Sequence, residues 1–185
     1  MDLKEEKKLI QKAKQNPEVF GRLYEQHYPK IFGYILKRTA NFEIAQDITS
    51  ETFFKALKKL WQFHWKNIPF SSWLYRIANN EIANYFRKNK HKPVPLESIP
   101  EPFSTSNSNP SADILEAEEE LKKHQDFLVL QKEISKLSAK YQEVIILRFF
   151  DKKQIKEIAE ILGKREGTIK SLLHRGLEKL RQSVE

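Results

Sequence analysis

The sequence predicts an all-α protein made of two small helical domains. Glycine occurs only five times in 185 residues. Long segments repeat apolar residues at three- and four-residue spacing. Asparagine stands before several of these segments, twice followed by proline, as at a helix start. A chain of this length suits one large or two small domains.

Each element follows in order. Residues 3–15 form a short amphipathic helix. Asn16-Pro17 opens a second helix reaching about Thr39, with Phe20, Leu23, Tyr24, His27, Ile31, Tyr34 and Ile35 at helical spacing. Asn41 opens a third helix, to about Trp61. At about 100° per residue, Phe42, Ala45, Thr49, Thr52, Phe53, Ala56, Leu57 and Leu60 share one stripe, read as the core face. Phe54 falls across the helix beside Asp47, Glu51 and Lys58. It is either a partner contact or an isolated exposed apolar residue. A loop rich in aromatics follows, WQFHWKNIPFSSW, holding all three tryptophans between Trp61 and Trp73. Trp61 and Trp73, at helix ends, are read as core. A fourth helix, Phe70 to Lys88, turns Trp73, Leu74, Ile77, Ala78 and Tyr85 inward and ends in the basic RKNKHK, residues 87–92. Residues 93–110, PVPLESIPEPFSTSNSNP, cannot build a core and read as an extended linker. Asn109-Pro110 starts a further helix, acidic first and basic later, as the helix dipole favours. The domains are set at 1–92 and 112–185, joined by a linker at 93–111.

Charge and composition limit the functions. Residues 1–92 carry 18 Lys and Arg against 9 Asp and Glu, residues 93–137 carry 4 against 9, and residues 138–185 carry 11 against 7. Two basic blocks thus flank an acidic spacer, a distribution that suits a polyanionic partner or a merely soluble surface. The absence of cysteine excludes a disulfide framework, a thiolate metal site and a cysteine nucleophile, and fits a reducing, cytoplasmic setting. No apolar run approaches spanning length, and the N-terminus lacks the apolar block of a secretory signal. The five histidines are scattered without metal-like spacing, and no phosphate-cradling glycine loop occurs. No cofactor, metal or catalytic group is expected.

The most informative stretch is QIKEIAEILGKREGTIKSLLHRGLEKLRQ, residues 154–182. Ile155, Ile158, Ala159 and Leu162 line a short helix, Gly163 marks a turn with positive φ, and a second helix from Gly167-Thr168 buries Ile169, Leu172, Leu173, Leu177 and Leu180. This is a helix-turn-helix pattern. The outer face of its second helix offers Arg165, Thr168, Lys170, Ser171, His174 and Arg175, donors suited to base edges and phosphates. SAKYQEVIILRFF, residues 138–150, supplies the preceding helix, with Ser138 as its cap.

Residues 137–181 resemble the C-terminal promoter-binding domain of the sigma-70 family, in its small two-domain extracytoplasmic-function class. AQDITSETFFKAL (45–57) is similar to that class's polymerase-binding helix, and FSSWLYRIANNEIANYFRKNK (70–90) to its −10-reading helix. The resemblance implies an alternative sigma factor that binds core RNA polymerase and promoter DNA and performs no chemistry itself. Asp47, Glu51 and Phe54 would dock on the polymerase. Phe63, His64, Trp65, Asn67, Arg76, Asn80, Arg87 and Lys88 would engage the melted, single-stranded −10 element, with Phe63, His64 and Trp65 as candidates to hold an unpaired base. The helix at 168–180 would read the −35 element as duplex. The acidic linker would thread the polymerase's RNA path, and an anti-sigma factor is a possible further partner. The chain departs from the family pattern at Ser50, Glu81, Asn84, Lys152, Lys164 and Leu172. Two other readings stand beside this one: a helix-turn-helix regulator binding duplex operator without polymerase, and a nucleic-acid enzyme.

Overall fold

In a computed structural model the described residues are 3–64, 69–89 and 129–184. The sequence-read linker, the helix start at Asn109-Pro110, Trp65 and Asn67 lie outside them. All the regular elements described are helical.

The first body holds four helices. α1 spans Leu3–Gln15. Asn16 caps the 3-10 turn Pro17–Val19, its side chain accepting from the Glu18 N–H at 3.0 Å. α2 follows as Phe20–Thr39 and stops at Ala40, which takes a left-handed φ of 52°. Asn41 caps α3, Phe42–Lys59, by accepting from the Ile44 N–H at 2.9 Å. A 3-10 turn, Leu60–Gln62, ends it. α4 is Phe70–Lys88. Leu23, Ile31 and Ile35 of α2, Ala45 and Ala56 of α3, and Phe70, Leu74, Ala78 and Ile82 of α4 have no accessible surface. Each large apolar side chain so buried stabilises the bundle by roughly 1.5–3 kcal/mol. Thr49 and Thr52 join this core because their hydroxyls bond the backbone carbonyls of Ala45 and Ile48, at 2.6 and 2.7 Å. Neither of these two hydroxyls is thereby orphaned.

The core stripe of α3 differs from the expected one. Ile48 is buried, whereas Phe42 and Leu57 are each 37% exposed. The buried face is turned about 35° toward Ile48 at the standard helical rotation, which carries Leu57 to its edge and leaves Phe42 at the open end. Trp61, expected in the core, is 68% exposed. The tighter 3-10 turn advances the chain by about 120° per residue, so Leu60 and Phe63 point inward and Trp61 outward.

The second body begins with α5, whose described part is residues 129–136. α6, Ala139–Ile145, runs into a π-helical turn, Ile146–Phe150. Ser138 holds the N-cap position, but its hydroxyl makes no capping bond. Across the junction Val144 and Ile145 of α6 and Ile146 and Leu147 of the π turn are buried in succession. Lys152, where the family commonly has glycine, takes a positive φ of 53°. α7, Ile155–Leu162, starts in a capping box of Gln154 and Glu157 and ends at Gly163, with φ 63°. α8 is Glu166–Val184. It buries Ile169, Leu172, Leu173 and Gly176 against α6 and α7, while Leu177, expected inside, is 40% exposed.

The two bodies pack together, α4 against α7 and the C-terminal turn of α2 against the π turn. This contact is built largely from charged side chains. Lys37 Nζ lies 3.5 Å from Asp151 Oδ1, and Arg38 Nη2 lies 3.7 Å from Glu143 Oε1.

Candidate nucleic-acid interface

Three surfaces carry the sequence-predicted site residues. Arg165, just before α8, and Thr168, Lys170, His174 and Arg175 on it are exposed, and Ser171 is half-buried. Arg175 Nη2 donates to Ser171 Oγ at 2.7 Å, which sets both side chains on one ridge. The ridge is rigid because the opposite face is locked inside: Ile169 has no accessible surface, and at Gly176 a Cβ would meet Ile145 Cδ1 at 3.1 Å. Gly163 provides the left-handed step that turns α7 into α8, a conformation only glycine adopts without strain.

The second surface is the outer face of α3. Asp47, Glu51 and Phe54 are all exposed there. Lys58 Nζ sits 4.5 Å from the centre of the Phe54 ring in a cation–π contact. Lys55 bridges Glu51 at 3.0 Å and Glu81 at 2.6 Å. Those bonds, to Glu81 first and then Glu51, push the Lys55 ammonium pKa up. Glu81, where the family usually has leucine, therefore ties α4 to this face of α3. Trp61 extends the row beyond Phe54. Sequence reasoning missed it because its place at a helix end reads as core, although the standard helical rotation sets it beside Phe54.

The third surface lies at the α3–α4 loop. Phe63 is 6% exposed, its ring 5.3 Å from Phe70 and 5.1 Å from Trp73. It is a core residue, and the base contact expected of its ring is corrected accordingly: the 3-10 turn delivers it inward. His64 is exposed, its Nδ1 2.7 Å from the Gln62 carbonyl oxygen. Asn80, Arg87 and Lys88 are exposed along α4, with Arg87 donating to Asn84 Oδ1 at 2.9 Å. Gln62, His64, Ser72, Trp73 and Arg76 line a cleft of about 240 Å³ whose far wall is Glu160 of α7.

Arg76 is committed elsewhere. Its Nη2 donates to the Glu160 carbonyl and its Nε to the Ile161 carbonyl at 3.5 Å, satisfying the C-terminal end of α7 with a cation. Beside it, Tyr75 is buried, and burial followed by the Asp151 carboxylate pushes its hydroxyl well above the ordinary phenol range. Burial also pushes the carboxyls of Asp151 and Glu143 up, against the opposing pull of Lys37 on the first and Arg38 on the second. Both hold a proton more tightly in this packing than in water. Their contribution is therefore full below the ordinary carboxylate range and falls as pH rises through the raised values. Burial pushes the Tyr34 hydroxyl up to about 12, so at neutral pH it stays a donor and bonds Asn79 Oδ1 at 2.7 Å. Among the described residues no cluster of three or more His, Cys, Asp or Glu could hold a metal, and no helix is long and apolar enough to cross a membrane.

Sigma-70 region 2 matches residues 23–92, and sigma-70 region 4 matches residues 127–180. The ECF RNA polymerase sigma factor SigW of Bacillus subtilis is 31% identical over 185 residues, covering 100% of this chain and 98% of that protein. The chain belongs to the extracytoplasmic-function class of the sigma-70 family. The ECF RNA polymerase sigma factor BldN of Streptomyces coelicolor is 31% identical over 166 residues, which cover 88% of this sigma factor and 59% of BldN's own length. CnrH, solved in complex with the cytosolic domain of CnrY, has the same fold, with a TM-score of 0.67 at 21% identity over 97% of this chain and 96% of that one. The α8 ridge lies within region 4, and the α3 face and α3–α4 loop lie within region 2. Sigma factors are not enzymes, which accounts for a chain whose special residues converge on surfaces.

Proposed function

We propose that this sigma factor binds core RNA polymerase through the outer face of α3, at Asp47, Glu51 and Phe54. It reads the −35 element as duplex through Arg165, Thr168, Lys170, Ser171, His174 and Arg175. It captures the unpaired −10 strand through His64, Trp65, Asn67, Asn80, Arg87 and Lys88, joined by Arg76 once α7 moves off it. In this reading residues 1–92 and 112–185 are the working domains, and the acidic segment 93–111 threads the polymerase's RNA path. The protein acts in the cytoplasm. An anti-sigma factor covering both domains belongs to the same proposal.

The observation that carries it is the two-sided build of α8. One side is anchored by Ile169, Leu173 and Gly176, and the other presents a row of donors to solvent. A purely structural hairpin has no use for such a row. Transcription reconstituted with core polymerase on a promoter library is the test. A chain that binds duplex DNA yet never associates with core polymerase would defeat the proposal. Within it, Lys170→Ala and Arg175→Ala should each weaken −35 duplex binding and lower the salt slope by about one. An unchanged salt dependence would mean this ridge does not meet phosphates.

A further inference from the structure

The α3–α4 loop is pinned at both ends by one helix. Lys14 Nζ of α1 donates to the Phe63 carbonyl at 2.5 Å, and Glu6 Oε2 of α1 accepts from the Phe70 N–H at 3.4 Å. The polarity is matched: a cation on the last carbonyl before the loop, an anion on the first N–H after it. α4 needs that anion, because Pro69 offers no side-chain cap and the first turn of α4 has no acidic residue. Glu6 supplies the missing acceptor and the charge favoured at a helix N-terminus from a different element. Glu6 is 6% exposed, its Oε1 lies 3.2 Å from His27 Nε2, and the His27 ring packs edge-on against Phe70. Between the two pins, the rings of Phe63 and Phe70 meet at 5.3 Å and close the base of the loop. α1 itself lies ahead of the region 2 match, which begins at residue 23.

We infer that α1 is a brace for promoter opening, with Lys14 and Glu6 as positioning residues that fix His64 and Trp73 at the mouth of the cleft. The inference rests on the −10 role given to this loop above. Neither residue touches DNA. Each holds a backbone group whose displacement would swing His64 and the start of α4 away from the cleft. Positioning of this kind affects the step that captures an unpaired base and leaves duplex recognition by α8 alone.

Lys14 is half-buried at the rim, so Lys14→Met preserves length and packing while deleting the donor. The test compares wild-type, Lys14→Met and Lys14→Arg holoenzymes on a promoter carrying a fluorescent base analogue in the −10 element. Lys14→Met should slow opening about three- to tenfold, the span set by losing one partly buried hydrogen bond. Its −35 duplex affinity should match wild type, and its melting temperature should fall by no more than a few degrees. Lys14→Arg, which keeps a donor, should restore opening. Normal opening by Lys14→Met overturns the inference, as does a slowing matched by an equal loss of duplex affinity or left unrestored by Lys14→Arg. A wild-type holoenzyme that fails to open the promoter overturns the parent reading, and the brace falls with it.

Discussion

Gly176→Leu should abolish −35 duplex binding without altering any residue proposed to touch DNA. Gly176 is buried where α8 crosses α6, and even a Cβ there would sit 3.1 Å from Ile145 Cδ1 and 3.4 Å from Tyr141 Cβ. Leucine adds three more carbons with no space to receive them. Overpacking of this kind costs about 1–3 kcal/mol and is relieved only by separating the helices. The recognition ridge would then lose the backing that fixes its angle to the groove. Gly176→Ala is the informative control. Its one methyl is tight only against the terminal methyl of Ile145, and alanine gains about 1 kcal/mol of helix propensity over glycine, so the result should be near neutral. Core polymerase association should survive both changes, because the α3 face belongs to the other body. The measurements are thermal unfolding, duplex binding and polymerase pull-down. Duplex binding by Gly176→Leu at wild-type strength would mean that this crossing does not set the ridge.

Much of this architecture could be read from local chemistry. Asn16 and Asn41 cap where an asparagine before a periodic run should cap, and Gly163 turns where only glycine turns freely. The ridge on α8 was legible because its donors occupy the face opposite a clear apolar stripe. Trp61 and Phe63 exchange their expected roles because the first is placed by its position at a helix end and the second in an open loop, whereas the chain stays helical through Gln62 and sends the first to solvent and the second to the core. Where α6 passes into the π turn, four consecutive residues from Val144 to Leu147 are buried, which no 3.6-residue pattern anticipates. Lys152 carries a positive φ without glycine to announce it, and only comparison with the family's usual residue marks the position. The contact between the bodies was not legible at all. Nothing in the sequence singles out Lys37, Arg38, Glu143 and Asp151, and only their placement opposite one another makes them an interface. The same blindness hid Glu6 and Lys14, whose partners are backbone groups of a distant turn.

Arg38→Ala should be the most destabilising single change at that contact, by about 3–5 kcal/mol, the range for stripping one member from a buried charged network. The Arg38 side chain is only 2% exposed beside Glu143. Its Nη1 donates to Tyr34 Oη at 3.2 Å and to Asn79 Oδ1 at 3.1 Å, so it serves the core of the first body as well as the second body's carboxylate. Truncation leaves all three partners short at once. Glu143→Gln separates the two roles. Burial already pushes the Glu143 carboxyl up despite Arg38, so neutralising it removes a group that resists desolvation while keeping an acceptor near the guanidinium. The closed packing should therefore persist at neutral pH in Glu143→Gln and open in Arg38→Ala, read as the distance between labels on exposed positions of α3 and α8. The wild-type contact should tighten as pH falls through the raised carboxyl value, and Glu143→Gln should lose part of that dependence. Opening matters for function because closure keeps Arg76 on the carbonyls of α7, away from the strand it is proposed to hold. If Arg38→Ala keeps both its melting temperature and its label distance, Arg38 is a bystander, and some other contact must hold Arg76 in place.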